Sequence, residues 1–239
     1  MKNLLKSIGI IALVMITGFT LSCGDDGDGL PPAGDGSITF PLTGSVYVWD
    51  DDDDDYVSYS GAETTRNYSL YFNEENQSAE LVELSELGSG TWNVSISSIG
   101  ALSLTLGTPD NNRLWDVSEN MPPGISMTSG LKYLNIGSFG NSSGGNLLMW
   151  RNPDIFGLVI VGFVYANMNG KVSGRSEYYD EDDNENVVLL MNWDLKQGWN
   201  IVLASYTYNN ATNTSTQTSV TGKPNSNFIW VLEDWVFGY

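Results

Sequence analysis

The chain of 239 residues has no histidine and a single cysteine. Without histidine there is no Ser-His-Asp or Cys-His nucleophile pair and no imidazole-ligated zinc. One cysteine excludes an intramolecular disulfide, a CxxC redox or zinc motif and a cysteine-ligated cluster. Basic residues are scarce as well: 10 Lys plus Arg face 29 Asp plus Glu, for a formal charge of −19. So large an acidic excess works against the basic patch that backbone phosphates need, and no nucleic-acid partner is expected. Any bond-making chemistry would fall to carboxylates. What the chain does hold is 41% hydrophobic and 12% aromatic residues, enough to fill real cores.

Lys2 and Lys6 flank the start of an uncharged apolar run from Ile8 to Phe19. The run is shorter than the ~20 residues of a membrane-spanning helix and matches the core of a secretory signal. Thr20-Leu21-Ser22-Cys23 follows at once. This tetrapeptide resembles the lipobox of bacterial lipoproteins, with Leu21 two rather than three residues before the cysteine, as in the looser boxes of spirochaete and Bacteroidetes lipoproteins. The resemblance implies a signal peptide over 1–22, cleavage before Cys23, and acylation of Cys23. It also implies attachment to the membrane through the lipid anchor, in the cell envelope, with the outer membrane and its exposed leaflet as the expected address. Residues 23–36, rich in Gly, Asp and Pro, read as an acidic tether.

Fifteen of the acids sit in three places: Asp25, Asp26, Asp28 and Asp35, then Asp50 to Asp55, then Asp180 to Glu185. Divalent cations or basic surfaces are the partners this charge favours.

From Ser37 onward the pattern predicts an all-β fold, an antiparallel β-sandwich. Trp92, Val94 and Ile96 alternate with polar residues, and Leu102, Leu104 and Leu106 follow a short turn, the signature of a hairpin of half-buried strands. Phe156 to Ala166 is apolar on both parities, which predicts a central strand covered on both faces. Val187 to Trp193, Trp199 to Tyr208 and Thr214 to Thr221 complete a run of strands, the last two joined through an Asn-rich loop. Ser78 to Leu87, with leucines spaced by three, fits a short helix as well as a strand.

The two halves also resemble each other. Trp92-Asn93-Val94 recurs as Trp199-Asn200-Ile201, and the nine residues ending at Trp115 recur in the nine ending at Trp230. The order of features repeats with the letters, which predicts two tandem or pseudo-symmetric repeats over 37–120 and 121–239, with Met121-Pro122-Pro123-Gly124 at the junction. Two sandwiches and two halves of one core both remain open. Gly198 to Val202 and Phe228 to Leu232 resemble the closing strands of uncharacterised β-rich spirochaete lipoproteins. That resemblance implies a lipid-anchored envelope protein and supplies no catalytic residues.

Among candidate sites, the acidic runs could offer oxygens to Ca²⁺ through Asp50, Asp52 and Asp54 or through Asp180, Asp182 and Asp183. Six adjacent aspartates cannot all reach one ion, and the second run has Glu185 where an EF-type loop needs glycine. A solvated loop is the expectation for each run, with weak Ca²⁺ binding the only cofactor chemistry left open. Tyr178, Tyr179, Tyr206 and Tyr208, beside acidic or Asn-rich loops, are candidates for stacking on a protein or glycan ligand, because a phenol joins an apolar face to a polar edge. A glycan hydrolase would need two carboxylates at a working distance, and Glu177, Asp194, Glu233 and Asp234 are isolated acids beside aromatics. The chain therefore reads as a binding or structural component more readily than as an enzyme. The aromatic end at Trp235, Phe237 and Tyr239 resembles the closing signal of outer-membrane barrels, but the doubly apolar run at 156–166 argues against a barrel in lipid.

Overall fold

The computed structural model describes residues 33–52, 55–73, 78–116, 121–141, 147–152, 159–180 and 184–233. The signal, Cys23, Asp54, Asp182, Asp183 and the aromatic end after 233 lie outside them.

Among the described residues, nineteen strands make up nearly all the regular structure. The first half contains β1 (Leu42–Asp50), β2 (Asp55–Ser58), β3 (Thr64–Thr65), β4 (Tyr68–Asn73), β5 (Ser78–Glu83), β6 (Gly88–Ser89), β7 (Asn93–Ile96), β8 (Ala101–Thr105) and β9 (Thr108–Pro109). The second contains β10 (Ile125–Met127), β11 (Tyr133–Ile136), β12 (Phe139–Gly140), β13 (Leu147–Asn152), β14 (Val159–Ala166), β15 (Gly170–Asp180), β16 (Glu185–Leu195), β17 (Gly198–Asn209), β18 (Thr214–Thr221) and β19 (Ile229–Glu233). The only helical turns among the described residues are single 3₁₀ turns at Leu84–Glu86 and Asn111–Arg113. The leucine-spaced segment at 78–87 thus resolves into strand β5 followed by one such turn, whose Leu84 is buried along with Leu87.

The large sheet can be followed strand by strand as β10, β15, β16, β18, β17, β14, β13, β19, β1 and β2. Its pairings are antiparallel except β16 with β18 and β1 with β19. Strand β1 belongs to two layers: Leu42 to Ser45 pair with β8, while later residues pair with β19 and β2. Strands β8, β7 and β3 continue the second layer. One strand serving two sheets is how orthogonal β layers turn a corner. The pairing network closes on itself, and a two-stranded β6–β9 ladder lies apart. The result is an all-β, sandwich-like body.

One core joins the two layers. Val94, Ile96, Leu102 and Leu104 of the β7–β8 hairpin pack with Leu148, Val161, Phe163, Trp199, Ile201 and Trp230 of the large sheet. Trp92 meets Trp199 edge to face at 6.1 Å, and Trp199 Nε1 donates to the Gly107 carbonyl at 2.7 Å. Trp150, Trp230 and Phe163 are stacked, with centroids 5.0 Å apart for the first pair and 6.0 Å for the second. Such aromatic pairs contribute ~0.5–1.5 kcal/mol beyond their area burial. The two segments 37–120 and 121–239 therefore share a core, which settles the choice that the sequence left open. They also share sheet pairing, through β1 with β19 and β4 with β12.

Both Trp-Asn hairpins form, β7–β8 and β17–β18, and both are antiparallel. Their surroundings differ. Strand β8 has an antiparallel outer neighbour in β1, while β18 has a parallel one in β16. Trp115 lies outside the named strands, in an isolated bridge to Tyr133, whereas Trp230 lies inside β19 between β1 and β13. The recurrence of letters is thus matched in the hairpins and not in the strands around them. At the expected junction, Met121 packs on the second core and Gly124 sits in a turn against β15. Gly34 and Gly36, at the end of the expected tether, and Ile38 just beyond it are hydrogen-bonded along the start of β17 and the end of β18.

Candidate functional site

Strand β14 was expected to be covered on both faces, and the described part, Val159–Ala166, is buried on both parities between β17 on one side and β11 and β13 on the other. Strand β16 alternates: Val187, Leu189, Met191, Trp193 and Leu195 are buried on one face, with polar residues among those between. That face holds the second core, in which Trp193 meets Tyr133 edge to face at 5.3 Å.

Following the register outward from Val187 and Leu189 shows what shares their face. Tyr178 and Ser176 of β15 stand opposite Val187 and Leu189 on one side. Ser215 and Gln217 of β18 stand opposite them on the other. Beyond β18, Tyr208 pairs with Ser215 and Tyr206 with Gln217. Residues directly opposite in a ladder project to the same side. Three of the four candidate tyrosines, Tyr178, Tyr206 and Tyr208, are therefore brought together on one face of four adjacent strands. Tyr179 falls on the opposite face and is 53% exposed.

Between those tyrosines the face is mixed, with the buried Val187 and Leu189 beside Ser176, Ser215 and Gln217. Ser176 is 2% exposed and Ser215 fully buried, and neither hydroxyl has a hydrogen-bond partner. Farther along the face the polar groups are satisfied: Ser219 accepts from Trp193 Nε1 at 2.8 Å, and Thr221 Oγ1 accepts from the Asp194 amide at 2.9 Å. Strand β18 is TSTQTSVT, with one apolar residue in eight, yet it is bonded on both edges. Burial pushes the Tyr178 hydroxyl up to about 12, with the carboxylates of Asp180 and Glu185 adding to the shift. Sequence reasoning missed Ser176, Ser215 and Gln217. The signal for two of them was the polar composition of Thr214–Thr221, but nothing in that composition says the strand is central.

The tips of the β15–β16 and β17–β18 hairpins are tied together. Asn184 and Asn213 both adopt left-handed backbone, with φ of 56° and 50°, a conformation asparagine tolerates better than most residues. Tyr179 donates to the Asn184 side chain and Tyr208 to that of Asn213. The Asn213 carboxamide donates to the Asn184 carbonyl, and the Asn186 amide donates to the Asn213 carbonyl at 3.0 Å. Tyr179 is thereby a tip-locking residue.

The described parts of both acidic runs close hairpin ladders. Asp50 stands opposite Asp55, and Asp180 opposite Glu185, so like charges face each other across the strands. Asp52 donates its amide to the Asp50 carboxylate at 2.9 Å, an ordinary polar turn. Among the described residues no group of three or more Asp, Glu, Cys or His side chains is placed to hold a metal ion. The isolated acids are each joined to a cation of their own. Glu177 pairs with Arg175 at 2.7 Å and Asp194 with Lys196 at 3.2 Å, while Glu233 is held by Arg151 and by the Tyr56 hydroxyl. They lie on β15, β16 and β19 and form no carboxylate pair; Asp234 is outside the described residues.

No protein family, curated protein or solved structure matches this chain.

Proposed function

We propose that this chain is a lipid-anchored cell-envelope protein, held through Cys23, whose β body binds an envelope or extracellular ligand, a protein or a glycan, on the face bearing Tyr178, Tyr206 and Tyr208. The observation that carries the binding half is the convergence of three tyrosines from two non-adjacent strands onto one face. Binding sites favour aromatic rings on rigid elements, because a ring brings large contact area at little entropic cost. The anchoring half rests on the apolar run at 8–19 and the sole cysteine directly behind it.

A clickable palmitate analogue fed to cells should label the wild type and leave Cys23→Ala unlabelled, with the variant's body released to the soluble fraction. Immobilised body should retain its ligand from envelope or extracellular-matrix fractions, and Tyr178→Ala with Tyr206→Ala should weaken that retention at least tenfold. An unlabelled wild type ends the anchor reading; retention indifferent to the tyrosines ends the site reading.

A further inference from the structure

We infer that the end of the body from which the chain runs back to Cys23 is a membrane-docking surface, held against phosphate-bearing lipid headgroups by Lys132, Lys171, Lys196 and Lys223 with Met168 at its tip. The inference rests on the lipid-anchor reading above and adds to it the way the body stands on the membrane.

Beyond the signal the chain has four lysines, and the fold gathers them all at one end of the large sheet. Lys171 stands opposite Asp194 in the β15–β16 ladder, and Lys196 directly follows β16. Lys223 lies two residues past Thr221, the last of β18. Lys132 directly precedes β11, and its amide donates to Asn167 Oδ1 at 2.8 Å, next to the Ala166–Gly198 pair. Lys171, Lys196 and Lys223 are exposed, and the Lys132 side chain is 44% exposed. The loops that carry them are tied together: Asn167 Nδ2 donates to the Gly130 carbonyl at 3.1 Å, and the Gln197 amide to Asn169 Oδ1 at 2.8 Å. Between those two asparagines, on the turn from β14 to β15, sits the exposed Met168. An apolar tip ringed by lysines is what a headgroup boundary accepts, since the ammonium groups stay at the phosphates while their stems and the apolar side chain reach past them.

The chain leaves the body at this same end. The Gly34 amide donates to the Thr221 carbonyl at 2.7 Å, and Ser37 bridges to Asn200. Ala33 lies ten residues after Cys23, a separation that ~3.5 Å per residue limits to about 35 Å. A lipid on Cys23 therefore keeps the lysine end close to the headgroups. The body is acidic overall, but charge acts here over a Debye length of ~8 Å. Asp180 is nine residues up β15 from Lys171, ~30 Å away. The Asp50–Asp55 run belongs to β1 and β2, and β1 is four strands across from β17, ~19 Å along the sheet. At the lysine end Asp35 accepts from the amide and hydroxyl of Ser37 at 3.0 and 2.7 Å. Asp116 and Asp194 hold Lys132 and Lys196 at 3.6 and 3.2 Å, surface pairs weak enough to yield to a phosphate. Arg113 and Asp110 of the neighbouring 3₁₀ turn offset each other. Four lysines against Asp35, Asp116 and Asp194 leave this end with a positive surplus.

The test uses the mature chain coupled through Cys23, its sole thiol, to a maleimide-bearing lipid, so that docking is measured whether or not cells acylate that residue. In phosphatidylcholine vesicles with about 30% phosphatidylglycerol, acetylation of Lys171, Lys196 and Lys223 by a succinimidyl ester should be about fivefold slower than for the same chain in neutral detergent. Peroxide oxidation of Met168 should slow with it. Nitration of Tyr179, at the far tip, should run equally in both. Raising NaCl to ~0.5 M should remove most of the protection. Lys171→Glu with Lys223→Glu should abolish the protection of Lys196 and Met168, and the milder pair Lys171→Gln with Lys223→Gln should reduce it by part. Lysines that react alike in vesicles and detergent, or protection found at Tyr179 instead, overturn the inference. Protection equally strong on pure phosphatidylcholine and indifferent to salt overturns it too, because the lysines would then not be the cause. The palmitate label decides the anchor separately: unprotected lysines on a labelled protein end the docking and leave the anchor standing.

Discussion

Asn93 and Asn200 occupy the same place in the two Trp-Asn motifs, and the structure predicts that they differ sharply in worth. Asn200 is fully buried. Its Oδ1 accepts from the Lys196 amide at 2.9 Å, and its Nδ2 donates to the carbonyls of Lys196 at 2.7 Å and Gly198 at 2.9 Å, with Val164 O farther off at 3.4 Å. A carboxamide has two N–H groups and one oxygen, so three of these contacts count fully. At ~1 kcal/mol net for each, Asn200→Ala should cost about 3 kcal/mol. For a body of this size that is a fall of about 6–12 °C in melting temperature. Asn93 is half-buried, and its Nδ2 reaches Ser95 Oγ at 3.3 Å and Ser103 O at 3.5 Å, long contacts whose loss should cost less than ~1 kcal/mol. Urea unfolding of the two variants, followed by tryptophan fluorescence, measures both. Equal costs, or an Asn200→Ala midpoint within error of wild type, would refute the reasoning.

Gly124→Ala should be among the most damaging single-methyl changes: a Cβ there would lie 2.1 Å from the Arg175 carbonyl oxygen, on a backbone at φ +86°. A loss of about 3 kcal/mol or more is expected by thermal melting, and a neutral variant would mean that β10 is not docked on β15. Calcium at ~1 mM should raise the melting temperature in low salt by relieving the facing Asp50 and Asp55, and Asp50→Asn should reproduce part of the gain; ~0.5 M NaCl should erase it. A stoichiometric micromolar site surviving salt in calorimetry would contradict this. Tyr56 and Tyr178 are both pushed up to about 12, chiefly by burial, above the ordinary ~10 of an unfolded chain. The stability tied to their neutral hydroxyls is therefore whole below pH ~10 and is lost as pH rises through 12. Tyr56→Phe should unfold less steeply over that window, and an unchanged alkaline profile would count against a buried neutral Tyr56.

What was legible in the sequence was whatever burial writes in periodic form. The β16 alternation from Val187 to Leu195 and the doubly apolar β14 both read correctly, because each apolar residue there answers to a covered face. The polar strand β18 carried no such mark: its central place comes from pairing with β16 and β17, and backbone bonds on both edges do not depend on side chains. The parallel pairing of β1 with β19 joins residues more than 180 positions apart, which no local pattern encodes. The tyrosines could be picked out as site candidates by their flanking loops, but their shared face required the register. Asn93 and Asn200 show the limit most plainly, since the same Trp before and a β-branched residue after give one of them a buried cage and the other long, half-buried contacts.

Strands β16 and β17 are separated by only Lys196 and Gln197, yet they are not neighbours, because β18 lies between them. A chain made from its N-terminus exposes β16 and β17 before β18 exists, and a two-residue link followed by Gly198 at φ +97° is well suited to a tight hairpin. The local product is thus the wrong one. In the native arrangement the link must stretch across two strand spacings, ~9.6 Å, with three Cα steps that reach at most ~11 Å. The Asn200 cage holds it in that drawn-out form. A route in which β17 and β18 close on each other before docking beside β16 avoids that product. Any copy in which β16 and β17 zip together early has to come apart before it can finish, a detour that lengthens folding and leaves strand edges bare while it lasts.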